Sequence, residues 1–511
     1  MKKRLFAVLL ISVMLCFLGC SRKKDREASL PYDNLKPEPL PPIELQIFTQ
    51  GTVPNYAQDF IQDMLKHIEI ETKDTINVIP CFNWAGYDIY DTIISMKVAS
   101  DDKIDAFTCS SPKAYVEQGL CIDLTALFKN YAPAYYQELM TNEMGKDYLA
   151  NCAIEGKLYA IPYNGVQNPR VCVVTKADLA AKYAPNGMET LEDYGDFLKK
   201  VKENESGVVP GIVYAYDFFQ AYMEGNGYHS FTGNLLYSRW DQKGSSIYPI
   251  EKTPEFNDAF ELIKLWKIQG YILRSTVMAN QYHISSKNLA SILYPMNQLG
   301  EIFTFAQPIN NVQFKVIPLY MQSLHLISST ARGVAVTEKC RYPERVVMFL
   351  EWLHGSQEKY DMFMYGQEGI HYTMKDGNIV IKPDISNQIA FWKMFGTEFF
   401  QDYRYERFTT NLGEDIRQIY LDSSFTNVMT SIEFREKVSE GKDVNITVMD
   451  KLEAENPQIS TIMNAYYDNF GRFIKTIDSG LLDMTLDELN EKQKQAGIEK
   501  VIELYQRAMS E

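Results

Sequence analysis

From Glu44 onward the apolar positions switch between two periods, and each switch marks an element. Leu45-Gln46-Ile47-Phe48 reads as a strand and Gly51 to Asn55 as a loop, after which Tyr56, Phe60, Met64, Leu65 and Ile68 recur at helical spacing. Ile76 to Phe82 predicts a second strand, Tyr87 to Met96 a second helix with Tyr90, Ile93 and Ile94 inward, and Ile104-Asp105-Ala106-Phe107 a third strand. Strand, helix, strand, helix, strand implies a parallel sheet with right-handed crossovers. Ligands of such sheets sit at the carboxyl ends of the strands. The loops Thr49-Gln50-Gly51, Asn83-Trp84-Ala85-Gly86 and Thr108-Cys109-Ser110-Ser111 are therefore expected along one edge.

The pattern then restarts. Glu155 to Asn164 predicts a turn, a short strand and a stop at Pro162, and Val171 to Thr175 is apolar and β-branched. Thr190 is placed to cap a helix from Leu191 to Lys202, with Glu192 and Asp193 suited to its N-terminus. Pro210 to Tyr216 reads as another strand, so a second α/β unit begins after about residue 160. Phe256 to Gln269 is an amphipathic helix ended by Gly270, and Ala290 to Pro295 and Phe314 to Pro318 return as strands. A helix over Arg345 to Leu353 and a hairpin at Asp376-Gly377 follow, and the remainder is mostly helical with no internal repeat.

The N-terminus has a different character. Lys2, Lys3 and Arg4 precede an apolar run from Leu5 to Leu18, then Gly19-Cys20, the layout of an export signal. As a helix the run is about 21 Å long at 1.5 Å per residue, short of a hydrocarbon core of roughly 30 Å. Phe17-Leu18-Gly19-Cys20 resembles a bacterial lipobox, in which the thiol is diacylated, as with palmitate, and the chain is cut before it; Phe17 departs from the usual Leu. The alternative is an ordinary signal peptide or an uncleaved anchor. Basic residues at 22–24 and 26 and prolines at 31, 37, 39, 41 and 42 then suit an extended spacer beside anionic headgroups.

The chain has 511 residues, enough for two or three domains. Removing residues 1–19 takes away three positive charges and no negative one, so the formal charge of -15 becomes -18. A body this acidic, with no basic patch, does not suit nucleic acid. The 33 tyrosines suit a surface that grips something. Beyond Cys16 and Cys20, the six cysteines are widely spaced with no CxxC pair; they read mostly as small buried apolar residues, with room for one or two bridges.

Several features in order resemble one family. They are the Cys20 lipobox, Gly119-Leu120-Cys121-Ile122-Asp123-Leu124-Thr125 with Tyr131-Ala132-Pro133, Gly156-Lys157-Leu158-Tyr159-Ala160-Ile161-Pro162, and Thr190-Leu191-Glu192-Asp193-Tyr194. Tyr342-Pro343-Glu344 to Trp352, Tyr365-Gly366-Gln367-Glu368-Gly369-Ile370-His371-Tyr372, and Ala496-Gly497-Ile498-Glu499-Lys500-Val501 follow. Together they resemble the sugar-binding type of extracellular solute-binding lipoprotein of ABC importers, the LipO-like group, over almost the whole chain. Asp101-Asp102-Lys103-Ile104-Asp105 departs from the group's Gly-Asp-x-Pro-Asp turn.

The resemblance implies a two-lobe periplasmic-binding-protein-like α/β fold of type II, each lobe a mixed, mostly parallel sheet flanked by helices, with a hinge between lobes. The expected division is 1–19 signal peptide, 20–43 lipidated cysteine and tether, 44–160 with 288–335 lobe 1, and 161–287 with 336–511 lobe 2 carrying a helical C-terminal extension. It also implies a monomer without cofactor or metal, moored outside the cytoplasm by a lipid at Cys20, with a sugar or oligosaccharide ligand and ABC permease subunits as partners.

A neutral sugar offers C–H faces and a ring of hydroxyls, so its site calls for aromatic platforms and groups that give and accept hydrogen bonds. Trp84 beside Asn83, in a loop expected at a strand's carboxyl end, suits a platform, the alternative being a core tryptophan. Tyr163 and Asn164 follow the Pro162 stop, where the family crosses between lobes. Tyr216-Asp217 ends an expected strand, and Asp217 suits either a sugar hydroxyl or a helix cap. Trp240 sits among polar neighbours, Gln50 follows the first strand, and Tyr294 precedes Pro295. Glu368 and His371 belong to the most recognisable motif, which also reads as a turn packing the histidine against the second lobe.

Enzyme signatures are missing: there is no Gly-x-Ser-x-Gly, no Walker loop and no His-Glu-x-x-His, and the six histidines are not paired at i, i+4. The competing functions are the same scaffold binding a peptide or other polar solute, an exported glycan-cleaving lipoprotein, and a surface adhesin or sensor.

Overall fold

The computed structural model describes residues 40–510 apart from 101, 142, 166–169, 233–235, 240–246, 277–278, 280–283, 285–286, 297–298, 300–312, 328–331, 376–377, 408–412, 431–432, 435–436, 438–451 and 453–454. The export signal, Cys20, most of the tether and Trp240 lie outside the described residues. In chain order the elements that position the site are β1 (Ile43–Gln50), α1 (Asn55–Thr72), β2 (Val78–Ala85), α2 (Tyr90–Ala99), β3 (Ala106–Cys109), α3 (Glu143–Asn151), β4 (Ile161–Pro162), β5 (Val171–Lys176), α4 (Leu191–Asn204) and β6 (Val209–Ile212). After them come α5 (Ala215–Gly225), α6 (Pro254–Gln269), β7 (Leu289–Pro295), β8 (Phe314–Pro318), β9 (Gly333–Val336), α7 (Pro343–Leu353), α8 (Gln357–Tyr365), α9 (Gly413–Phe425) and α10 (Gln458–Ser479).

Two sheets organise these elements. The first has the order β2-β1-β3-β9-β4, and the second β8-β5-β7-β6. β1 runs parallel to β2 and β3, while β9 lies antiparallel to β3 and β4. In the second sheet β6 and β7 are parallel, and β5 lies antiparallel to both β7 and β8. Alternation explains β1, whose Ile43, Leu45 and Ile47 are buried between exposed or half-buried partners, whereas β3 and β5 are buried throughout and read as continuous apolar runs. The capping box expected at Thr190 is present: its hydroxyl accepts from the Asp193 amide and the Asp193 carboxylate accepts from the Thr190 amide.

Each sheet has its own core. Around the first lie Phe60, Met64, Tyr90 and Ile94, joined by Val347, Phe349, Phe363 and Trp392 from later in the chain. Around the second lie Leu191, Phe197, Phe218, Phe256 and Trp266, with Phe470 and Phe473 of α10. A third cluster contains Met144 and Tyr148 of α3, Tyr163, Cys172 and Val174 of β5, and Ile416 and Tyr420 of α9, so residues of both bodies share it.

The distribution of chain between bodies differs from the sequence expectation. β7 and β8, expected in lobe 1 as part of 288–335, pair with β5 in the second sheet, and only β9 returns to the first. Conversely, α7, α8 and the residues to Phe400, expected in lobe 2, pack on the first core. Local periodicity states that a segment is a strand or a helix; the partner is chosen by the complementary faces left open by distant segments. All six cysteines among the described residues are unbridged thiols, five of them buried and Cys81 half-buried.

Candidate functional site

The registers put specific residues on one edge of each sheet. On the first sheet Gln50 lies opposite Ala85, while Gly333 is opposite both Cys109 and Pro162. The carboxyl ends of β1, β2, β3 and β4 therefore share an edge with Arg332, which precedes β9. On the second sheet Ile212 pairs with Ile292, Pro295 with Val171 and Pro318 with Cys172. The ends of β6, β7 and β8 thus share an edge with Arg170. Tyr163 to Gly165 leave the first edge, and Arg170 stands at the second.

At the first edge, Tyr87 opens the turn after β2 and is 55% exposed. Partial burial and the Glu398 charge push its hydroxyl up, against Arg332. Arg332 and Glu398 form an ion pair at 2.5 Å, both side chains about a third exposed or less. At the second edge, Tyr214 and Tyr216 flank the start of α5, Tyr216 being 40% exposed. Asp217 does not end a strand as expected; β6 stops at Ile212 and Asp217 lies in the first turn of α5. Burial, and after it the like charge of Asp478, pushes Asp217 up to about 7. Asp478 itself accepts from the Ala215 amide at 3.0 Å, capping α5 from the end of α10. Lys267, lowered to about 8 by burial, donates to the carbonyls of Leu273 and Arg274 and lends its charge to Asp478.

Of the other expected residues, Gln50 is half-buried as the last residue of β1. Tyr294 is half-buried at the end of β7, and its carbonyl accepts from the Cys172 thiol. Asn83 and Trp84 are not in a loop, because the parallel register with β1 carries β2 on to Ala85. Asn83 is occupied on the sheet, its amide donating to Gln46 at 2.8 Å. Trp84 lies with Phe82 on the face toward α1 and packs edge-on to Trp392, ring centroids 6.4 Å apart. It lines a hollow of about 430 Å³ between α1 and β2, with Ile61, Leu65, Pro80 and Phe82 as apolar wall and Gln58 and Gln62 on the helix side.

Tyr163 and Asn164 are buried in the crossing. The Tyr163 ring sits 5.2 Å from that of Tyr148, and the Asn164 amide donates to Asp402 at 3.1 Å. Burial works to raise Asp402, but Arg404 and His354 outweigh it and hold the carboxyl below its usual range. Glu368 is exposed and His371 buried. His371 packs against α1 of the first body rather than the second: its ring stands edge-on to Phe60, Nε2 lies 3.2 Å from Asp63, and Nδ1 accepts from the Gln367 amide. Gly366 permits this turn, having φ +84° and no room for a Cβ beside the His371 ring. Burial lowers His371, with Asp63 opposing. The edge residues that sequence reasoning missed are Tyr87, Tyr214, Arg332 and Glu398. Tyr87 was one position past a loop already expected at this edge, whereas nothing local links Arg332 to Glu398.

Among the described residues no group of His, Cys, Asp and Glu could hold a metal ion, and no helix is long and apolar enough to cross a membrane. The model of the bacterial extracellular solute-binding protein family matches residues 97–370, more than half of the sequence. The chain belongs to that family. Its members are extracellular solute-binding proteins rather than enzymes, which places this solute-binding protein outside the cytoplasm. No curated protein sequence matches it. Among solved structures it is similar to an N-glycan transport solute-binding protein from Streptococcus pneumoniae, at 16% identity over 92% of this chain and 98% of that one, with a TM-score of 0.65. It is also similar to the alginate-binding protein AlgQ2 (17%, 92% and 98%, 0.57). A third similarity is to a solute-binding protein from Bifidobacterium longum infantis described as HMO binding (12%, 92% and 98%, 0.56). Identities this low carry the fold alone: the solute-binding protein has the two-lobe periplasmic-binding-protein-like architecture, its lobes being the two sheet-centred bodies.

Proposed function

We propose that this solute-binding protein is a lipid-anchored receptor that captures an oligosaccharide between its two bodies and delivers it to the permease subunits of an ABC importer. The observation that carries this reading is the pair of sheet edges, each displaying an exposed tyrosine beside charged hydrogen-bonding groups: Tyr87 with Arg332 and Glu398, and Tyr216 with Asp217. Flat rings for C–H faces and carboxylate or guanidinium groups for hydroxyls are what a glycan requires. Gln50 and Tyr294 are further contacts at these edges, whereas Trp84 is turned to the first core. A ligand that touches both edges only when the bodies close shifts the population toward the closed form. The neighbours described as binding N-glycans, alginate and HMO support a carbohydrate over a peptide. Acylation of Cys20 moors the chain, and a Pro-rich stretch lies between that cysteine and the described body.

Thermal unfolding against panels of glycans and peptides tests the ligand class. A ligand at 100 times its dissociation constant stabilises the protein by about 2.7 kcal/mol; a response to peptides with none to glycans would falsify the carbohydrate reading. Tyr87→Ala and Tyr216→Ala are each expected to weaken glycan binding about tenfold, from the roughly 1–1.5 kcal/mol of a stacked ring, as read by calorimetric titration. Cys20→Ala is expected to abolish incorporation of labelled palmitate and release the chain from the membrane fraction; retention of the label would assign the acyl group elsewhere.

A further inference from the structure

Asp402 is the residue on which the connections between the bodies converge. Its Oδ1 accepts from the Asn164 side-chain amide at 3.1 Å and from Arg404 Nε at 2.9 Å; its Oδ2 accepts from Arg404 at 2.6 Å and lies 2.9 Å from His354 Nδ1. The donors come from three places: Asn164 is on the first connection, Arg404 on a later one, and His354 ends α7 on the first core. Main-chain bonds run alongside, from the Asn164 amide to the Gln401 carbonyl and from the Tyr403 amide to the Asn164 carbonyl, both at 2.9 Å, and from the Tyr163 amide to the Arg332 carbonyl at 3.2 Å. Tyr135 stacks on His354 at 3.9 Å and donates its hydroxyl to the Pro162 carbonyl, tying this node to the first body. At its far end the first connection is held to the second body, where Arg170 donates to the carbonyls of Tyr320, Ser423 and Thr426.

We infer that Asp402 is the positioning residue of the hinge: by gathering donors from the two stretches that lead out of the first body and from α7 onto one buried carboxylate, it fixes where those stretches leave the first body, and so the axis about which the second body turns. Asp402 and Asn164 are fully buried and His354 almost so, which removes water as a substitute for any missing partner. A carboxylate, which only accepts, suits the donors that Arg404 and Asn164 aim at it. An amide at this position would point its own N–H groups at Arg404, His354 or Asn164. The role goes beyond ligand identity and does not depend on the ligand being a glycan.

The test needs no ligand. Spin labels at Met96→Cys on α2 and Ile268→Cys on α6, sites 62% and 66% exposed, report the separation of the bodies by pulsed dipolar spectroscopy. They are placed in the full chain with Cys81→Ser, the other described thiols being buried. Asp402→Asn is expected to broaden the distance distribution about twofold. Arg404→Lys, at a partly exposed site and retaining the charge without the fork, is expected to broaden it less, and it serves where Asp402→Asn fails to fold. Asp105→Asn removes another buried carboxylate of the first body, one that accepts from the Gln46 amide away from the connections, and is expected to leave the width unchanged. Unchanged widths in both hinge variants, or equal broadening by Asp105→Asn, would overturn the assignment.

Discussion

Trp392→Ala is expected to lower the stability of the solute-binding protein by about 3–5 kcal/mol, the usual cost of deleting a fully buried tryptophan. The indole meets Phe82 and Phe363 edge-on at 5.2 Å each and Trp84 at 6.4 Å, and its N–H donates to the Phe363 carbonyl at 2.6 Å. The turn Trp392–Gly396 is closed around the ring so tightly that a Cβ at Gly396 would run into it. Truncation leaves a cavity and an unpaired carbonyl together, and neither can be refilled by neighbours already fixed in a sheet and two helices. Trp392→Phe keeps most of the volume and is expected to cost about half as much. The measurement is the urea midpoint at constant slope; a shift of less than 1 kcal/mol would show that the cluster relaxes onto the gap. Because Trp84 loses a supporting ring, the hollow beside α1 should deform in the same variant.

The second large effect is a pH dependence at Asp217. Its folded-state pKa of about 7 lies above the unfolded value, so the folded chain holds the proton more tightly and this group's stability is greatest in acid. As pH rises from about 4 to about 7 the contribution is lost, and above 7 the charged carboxylate remains as a standing cost. Asp217→Asn is therefore expected to stabilise the protein at pH 8, by about 1–2 kcal/mol once solvent screening of a half-buried group is allowed for, and by only about a third as much at pH 5. Thermal midpoints at the two pH values check this. Equal effects at both would mean that the charge is not the source. The same variant is expected to lose glycan affinity about tenfold at pH 8, because an amide is a weaker acceptor than a carboxylate for a sugar hydroxyl. Stability and binding should thus move in opposite directions, the mark of a residue kept for recognition rather than for folding.

How much of this was legible follows from the range of the interactions. The succession from Leu45 to Phe107 could be read because each element declares itself within about ten residues through its own period. Thr190 could be read because its box closes over three residues. Trp84 was misplaced in a loop because the length of β2 is set by pairing with β1, whose register is not written in the local pattern. β7 and β8 were given to the wrong body for the same reason: an apolar strand states that it must be covered, not by which sheet. His371 was recognised as a turn residue, yet its partner Asp63 lies far back in the chain on α1. Arg332 and Glu398 are 66 residues apart, and only the fold makes them neighbours. The raised Asp217 pKa likewise depends on burial by the assembled fold and, after it, on Asp478, which reaches it from the C-terminal helices.

The thiols of Cys109, Cys121, Cys152, Cys172 and Cys340 are sealed in the interior, and burial raises every one of them. Outside the cytoplasm, oxidants act on thiolate that solvent can reach, and among the described residues only Cys81 is even half-buried rather than sealed. The hazard is confined to the interval between translocation and closure of the cores, when the same five sulfurs are exposed on one chain and mispairing competes with collapse. Renaturation from denaturant should for this reason depend on added reductant, while the native protein tolerates oxidising buffer.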